Sequence, residues 1–150
     1  LKTFSFSECG VKDIEFIKNL VNLTSVNFSS NEISDISPLK ELTLLKSIYG
    51  EENKISDISA LDGLKKVNTL ILNNNEIVDI SSLASMINLE YLTLSSNKIV
   101  DVKSISVRVL SFINTVSSSK KSHRFLIREK LSFTSSILTV EKCFSITSER

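Results

Sequence analysis

Glycine occurs three times in 150 residues, proline once, cysteine twice and tryptophan never. So few glycines and prolines disfavour a sandwich or barrel built from many tight turns. The two cysteines, Cys9 and Cys143, make no disulfide framework and do not decide a compartment. The formal net charge is only +1, so no global field draws the chain to nucleic acid or to an acidic membrane. No apolar run approaches the roughly 20 residues that span a bilayer. No signal peptide is visible. Residue 1 is Leu rather than Met, so the chain reads as a fragment, and a preceding secretion signal is compatible with this start. There is no glycine-rich phosphate loop and no paired-cysteine metal motif. The sole histidine, His123, lies beside Lys120, Lys121 and Arg124 without a Cys or Ser at a recognisable spacing. It reads as a solvated surface residue. Nothing positive supports an enzyme, and no cofactor is expected.

What the sequence does contain is a repeat. Asparagine recurs every 22 residues, at Asn31, Asn53, Asn75 and Asn97. Isoleucine follows each at Ile33, Ile55, Ile77 and Ile99, then aspartate at Asp35, Asp57, Asp79 and Asp101. Aliphatics come next at Ile36, Ile58, Ile80 and Val102, and again at Leu39, Leu61, Leu83 and Ile105. Upstream of each asparagine stand Val26, Ile48, Leu70 and Leu92. The same frame runs back to Leu1 through Phe4, Phe6, Cys9, Val11, Asp13, Ile14, Ile17 and Leu20. Cys9 takes the asparagine place, a substitution known in this pattern. Five units therefore cover residues 1–105, the last incomplete.

Each unit predicts a short strand. In Ser25 to Ser29, Val26 and Phe28 point inward while Ser25, Asn27 and Ser29 point outward, as strand alternation requires. Successive strands stack in parallel about 4.8 Å apart. A buried asparagine amide at each turn pairs backbone groups that the turn leaves open, so Cys9, Asn31, Asn53, Asn75 and Asn97 form a structural ladder. A thiol replaces the amide only in part, through a weak S–H donor. On the convex side, Ser37 before Pro38 reads as a helix cap and first helical residue, and Ser59 and Ser81 repeat the cap. Leu39 and Leu42 return to bury against the strands. The aspartate column offers carboxylates one strand spacing apart, but the other oxygens of a calcium cage are not recognisable. Each aspartate reads as the cap of its own turn, and no metal is expected.

The segments NEISDISPLKELTLL, NKISDISALDGLKKV and NNEIVDISSLASMINL carry an I-x-D-I-S-x-L signature. In this the chain resembles the 22-residue leucine-rich repeats of bacterial internalins, and nearly as well those of the SDS22-like phosphatase regulators. The resemblance spans about two-thirds of the chain. It implies an α/β solenoid with a parallel concave sheet and short helical or irregular convex segments. It also implies a partner protein bound on the concave face: a cell-surface protein for the internalin type, a phosphatase for the other. The aspartate before the second isoleucine and the Ser-Pro at 37–38 favour the internalin type, hence a surface or secreted protein. A cytoplasmic phosphatase regulator is the alternative.

The concave columns follow from the alternation. They are Thr3, Ser25, Ser47, Thr69 and Tyr91; then Ser5, Asn27, Tyr49, Ile71 and Thr93; then Ser7, Ser29, Glu51, Asn73 and Ser95. Most are small and polar. Tyr49, Ile71 and Tyr91 differ, and aromatic anchors among small polar residues are a common hot-spot composition. With Asn27, Glu51, Asn73 and Thr93 they make the candidate partner-binding patch. The plainer reading is cross-strand packing on an exposed sheet.

The pattern breaks twice. Gly50 stands where Phe28, Leu72 and Leu94 place large side chains. Either the third coil is underpacked or Tyr49 turns inward, and on the core reading Gly50→Leu stabilises the fold. Beyond Ile105 every column is lost: Arg108 holds the next aliphatic place, and Ser119 the next asparagine place. Residues 1–105 carry 10 basic and 14 acidic residues, residues 106–150 carry 8 and 3. This basic, serine-rich stretch has three open readings: an irregular cap on the last coil, a disordered arm, or translation in a shifted frame. The last would make the chain a truncated fragment without function.

Overall fold

A computed structural model describes residues 1–100. The expectations for Asp101, Val102, Ile105, Arg108, Ser119, His123 and Cys143, and for the 105/106 boundary and the tail, lie outside the described residues.

The chain winds as a succession of coils, each offering one three-residue strand: β1 Thr3–Ser5, β2 Ser25–Asn27, β3 Ser47–Tyr49, β4 Thr69–Ile71 and β5 Tyr91–Thr93. They form one parallel sheet in sequence order. The register is fixed by the repeat itself, since each residue faces the one 22 places on, as in Val26↔Ile48 and Ile48↔Leu70. Val26, Ile48, Leu70 and Leu92 are fully buried. Their strand neighbours stay partly open, as a one-sided sheet requires. The ladder continues past the strands: the N–H groups of Phe28, Gly50 and Leu72 donate to the carbonyls of Tyr49, Ile71 and Thr93 at 2.9–3.0 Å.

Among the described residues, four short 3₁₀ helices line the convex side: η1 Glu15–Ile17, η2 Ser37–Glu41, η3 Ser59–Leu61 and η4 Ser81–Ser85. Aliphatic spacing explains why they are 3₁₀. Ile36, Leu39, Leu42 and Leu45 recur every third residue and all are buried. With three residues per turn, positions i and i+3 eclipse, so such a series falls on one face. The backbone follows suit, with Leu39, Leu42 and Leu45 N–H donating to the carbonyls three residues earlier at 2.9–3.0 Å.

The serines are not the caps that the sequence leads one to expect. No side chain at the residue preceding each helix caps it. The first helical N–H, that of Ser37, Ser59 or Ser81, donates instead to Oδ1 of Asp35, Asp57 or Asp79 at 2.7–2.8 Å. Glu15 N–H donates to Asp13 in the same way. The aspartate two residues upstream reaches that donor without bending the chain (an Asx turn). The serine hydroxyl, already on the helix, turns back to the other carboxylate oxygen in Asp35 and Asp79. The two bonds from Ser59 hold the Asp57 carboxyl below its ordinary range.

Neither expectation for Gly50 holds. A Cβ there would collide with Phe28 Cε2, lie 2.5 Å from Phe28 Cζ and 3.1 Å from Leu72 Cδ2. The phenyl ring of the preceding coil already occupies the volume that Gly50 leaves. The third coil is therefore filled from its neighbour, and Tyr49 remains on the concave side, half-buried. Phe28 in turn stacks on Phe6, with ring centroids 6.2 Å apart.

Candidate functional site

The asparagine column gives the concave sheet its rigid frame. Asn53 Oδ1 accepts from Ile33 N–H at 3.0 Å, and its Nδ2 donates to the carbonyls of Phe28, Gly50 and Glu51. Asn75 repeats the set with Ile55 N–H and the carbonyls of Gly50, Leu72 and Asn73. Asn31 and Asn97 do the same in their coils. Each amide thus clamps its own turn and the preceding coil. Cys9 retains one element of the set: its Sγ donates to the Ser7 carbonyl at 3.1 Å. Its thiol is exposed.

The turn also imposes a backbone demand that the sequence does not announce. The residue before each ladder position is left-handed: Glu8, Ser30, Glu52, Asn74 and Ser96 all have φ of 54–57°. This conformation sends the chain sharply out of the sheet, which closes the concave face at its exit edge. Ser29, expected outward, is 9% exposed there. The left-handed turn follows it at Ser30, and its N–H is held by Asn27 Oδ1 at 3.0 Å.

On this frame the candidate residues fall as follows. Tyr49 and Ile71 are Cα partners across β3 and β4. Ile71 in turn faces Thr93 on β5, and Tyr91 faces Thr69. Tyr91 thus lies diagonal to Ile71, one strand on and two residues back, and is 52% exposed. Tyr49, Ile71, Thr93, Glu51, Asn73 and Asn27 are half-buried. Asn27 and Asn73 already use their side-chain carbonyls on the frame, Asn73 by accepting Ser95 N–H at 2.8 Å. Thr93 Oγ1 is buried without a hydrogen-bond partner among the described residues. The tyrosine hydroxyls and the Glu51 carboxylate likewise have no partner there.

Some charges elsewhere on the coils are paired. On the outer side of the turn, Lys54 Nζ lies 2.9 Å from Glu32 and Lys98 Nζ 2.7 Å from Glu76, with Lys12 3.7 Å from Glu32. The hydrogen bond from Lys54, with the charge of Lys12, holds the Glu32 carboxyl below its ordinary range, and Lys98 does the same for Glu76. These exposed pairs add little stability. Among the described residues no group of three His, Cys, Asp or Glu side chains could hold a metal ion. No described helix is long and apolar enough to cross a membrane.

A family model for leucine-rich repeats in two copies matches residues 1–41 and 65–107. The chain belongs to the leucine-rich-repeat family. Its repeats are of the internalin-like type: the fold matches internalin C2 of Listeria monocytogenes with a TM-score of 0.74 and 32% identity over 77% of this chain. It matches an internalin, inlF, of the same organism with a TM-score of 0.63 and 26% identity over 77% of this chain. The leucine-rich-repeat chain spans 52% and 41% of those two proteins' lengths. A plant peptide hormone receptor, RGFR1, solved in complex with RGF2, shares the fold alone, at a TM-score of 0.58 and 18% identity over 65% of this chain and 17% of the receptor. A comparison with curated protein sequences gives no match. Family and neighbours together are those of a protein-interaction module.

Proposed function

We propose that this leucine-rich-repeat chain binds a partner protein on its concave face, around Tyr49, Ile71 and Tyr91, as part of an internalin-like surface or secreted protein. The observation that carries this reading is the departure of three neighbouring strands from an otherwise small and polar face. Two aromatics and one isoleucine occupy places held by serine, threonine or asparagine on β1 and β2. Rigid aromatic side chains lose little conformational freedom on binding and bury large areas, which suits them as anchors. The ladder of asparagine bonds supplies the preorganised backbone that such a surface needs. The internalin likeness favours an extracellular partner over a phosphatase.

The experiment compares the chain with a Tyr49→Ala/Tyr91→Ala variant on an array of purified extracellular receptor domains. A binder whose affinity falls roughly tenfold or more in the variant supports the reading, as expected for two hot-spot residues. Binders with equal affinity for both proteins would sink it. Sequencing the encoding DNA past both ends separates the alternatives. An export signal, further repeats and an anchor belong to the surface protein. A start without an export signal belongs to a phosphatase regulator. Repeats that resume in another frame past codon 105 belong to a truncated product.

A further inference from the structure

The concave strip has charges of one sign only. Along 3–8, 25–30, 47–52, 69–74 and 91–96, which form the strands and their exit edge, there is no Lys or Arg, while Glu8, Glu51 and Glu52 are present. Glu32 and Glu76 have lysines and Glu52 accepts the Ser30 hydroxyl at 3.0 Å, while Glu8, Glu41, Asp62 and Glu90, without an ion pair among the described residues, are exposed to water. Glu51 is half-buried, and its carboxylate has no partner among the described residues. It stands two residues after Tyr49, and the ladder continues past β3, with Gly50 N–H donating to the Ile71 carbonyl and Glu52 N–H to that of Asn73 at 2.9 Å, so strand alternation gives residues 49 and 51 the same side. Its backbone is pinned, since its carbonyl accepts Ser30 N–H at 2.8 Å and Asn53 Nδ2 at 3.2 Å. Lys2, Lys46 and Glu90 immediately precede β1, β3 and β5, at the opposite end of the strands from Glu51.

Resting on the concave-face reading above, we infer that the occupant is a protein segment presenting an arginine or lysine next to an apolar side chain, with the cation held between the Glu51 carboxylate and the Tyr49 ring and the apolar group on Ile71 and Tyr91. A cation over a tyrosine face is attracted by the ring quadrupole. A carboxylate beside the ring adds a charge-assisted hydrogen bond, bidentate for arginine. An acidic or phosphorylated segment would meet uncompensated repulsion, because the strip offers it no base. The charge complementarity also makes the association salt-dependent.

The test is selection of random twelve-residue peptides, displayed on phage, against the full chain. Selected peptides are synthesised and titrated against the wild type, Glu51→Gln, and Tyr49→Ala/Tyr91→Ala, with thermal melts to establish that each variant is folded. The expected result is enrichment of Arg or Lys adjacent to an apolar residue. Affinity should fall roughly tenfold in Glu51→Gln, and it should fall as salt is raised from about 50 mM to about 500 mM. Peptides that lose affinity in the tyrosine variant but lack a basic residue, or ignore Glu51→Gln, overturn this inference and leave the concave-face reading standing. Peptides unaffected by the tyrosine variant overturn both. Failure to enrich any peptide, or enrichment of acidic ones, counts against the basic segment.

Discussion

Adding a side chain at Gly50 should destabilise the solenoid, although a repeat consensus would recommend leucine there. The backbone at Gly50 is not left-handed, so the obstacle is steric alone: a Cβ collides with the Phe28 ring and crowds Leu72. Overpacking a filled core costs about 1–3 kcal/mol. Phe28, with no exposed surface, should cost about 3–5 kcal/mol when cut to alanine, because the ring leaves a cavity. The two changes are complementary. In the double variant, Phe28→Ala/Gly50→Leu, the introduced leucine side chain can enter the space vacated by the ring. Its loss should therefore be smaller than the sum of the single losses by about 1 kcal/mol or more. Urea denaturation followed by circular dichroism on the four proteins gives this cycle. Strict additivity, or a Gly50→Leu variant more stable than wild type, would refute the argument that Phe28 substitutes for the missing side chain of the next coil.

Three further predictions address the frame. Asn53→Ala should cost about 3 kcal/mol or more, since it strands the Ile33 N–H and weakens three carbonyl pairings in a buried turn; Cys9→Ala, with one exposed thiol bond, should cost little, and equal losses in denaturation would contradict the ladder. Ser30→Gly should stabilise by about 0.5–1 kcal/mol, because Ser30 is left-handed at φ 55° and glycine adopts that conformation without a Cβ clash; a lower midpoint would count against it. Acid should weaken the fold. Asp57, Glu32 and Glu76 are held below their unfolded pKa values, so their stabilisation is present above roughly pH 4 and is lost as pH falls through the lowered folded values. A melting temperature that does not drop between about pH 5 and about pH 3 would contradict this.

Positions whose role depends on their own kind of side chain were legible in the sequence. Asn53 must be an amide because it donates and accepts at once, and Ile58 and Leu61 must be apolar because no water reaches them, so each column shows as letters 22 apart. The left-handed position was not legible. Glu8, Ser30, Glu52, Asn74 and Ser96 share a conformation but no chemistry, since the clamped turn imposes it on whatever residue stands there. Capping was legible in part: the aspartate column does cap its own turns, while Ser37, Ser59 and Ser81 are not the caps their residue type also suggests, because only the backbone path shows which oxygen reaches the first helical N–H. The Gly50 gap misled because its compensation lies one coil away, where Phe28 looks like an ordinary core residue. The three-residue spacing of Ile36, Leu39, Leu42 and Leu45 did carry the 3₁₀ signal, which shows against a period of three rather than 3.6.

The same logic explains why the candidate site is harder to read than the fold. A core residue meets its own column in the next coil, so repetition constrains it and departures carry a penalty. A concave residue on this one-sided sheet meets mainly solvent or a partner, and the coil closes equally well around serine at 47 or tyrosine at 91. Information about a partner therefore resides where this face departs from its own small, polar average. On the reading proposed above β3 to β5 carry it and β1 and β2 do not, because Thr3, Ser5, Ser25 and Asn27 include no large side chain. Glu51 belongs with the three apolar departures rather than with the paired charges outside the turn. Removing Glu32 or Glu76 would free a lysine in solvent, whereas Glu51 has no charge partner among the described residues. A half-buried carboxylate without a partner among the described residues, two residues after a tyrosine, is an arrangement that folding alone does not require, and on the inference drawn above a cationic partner would complete it.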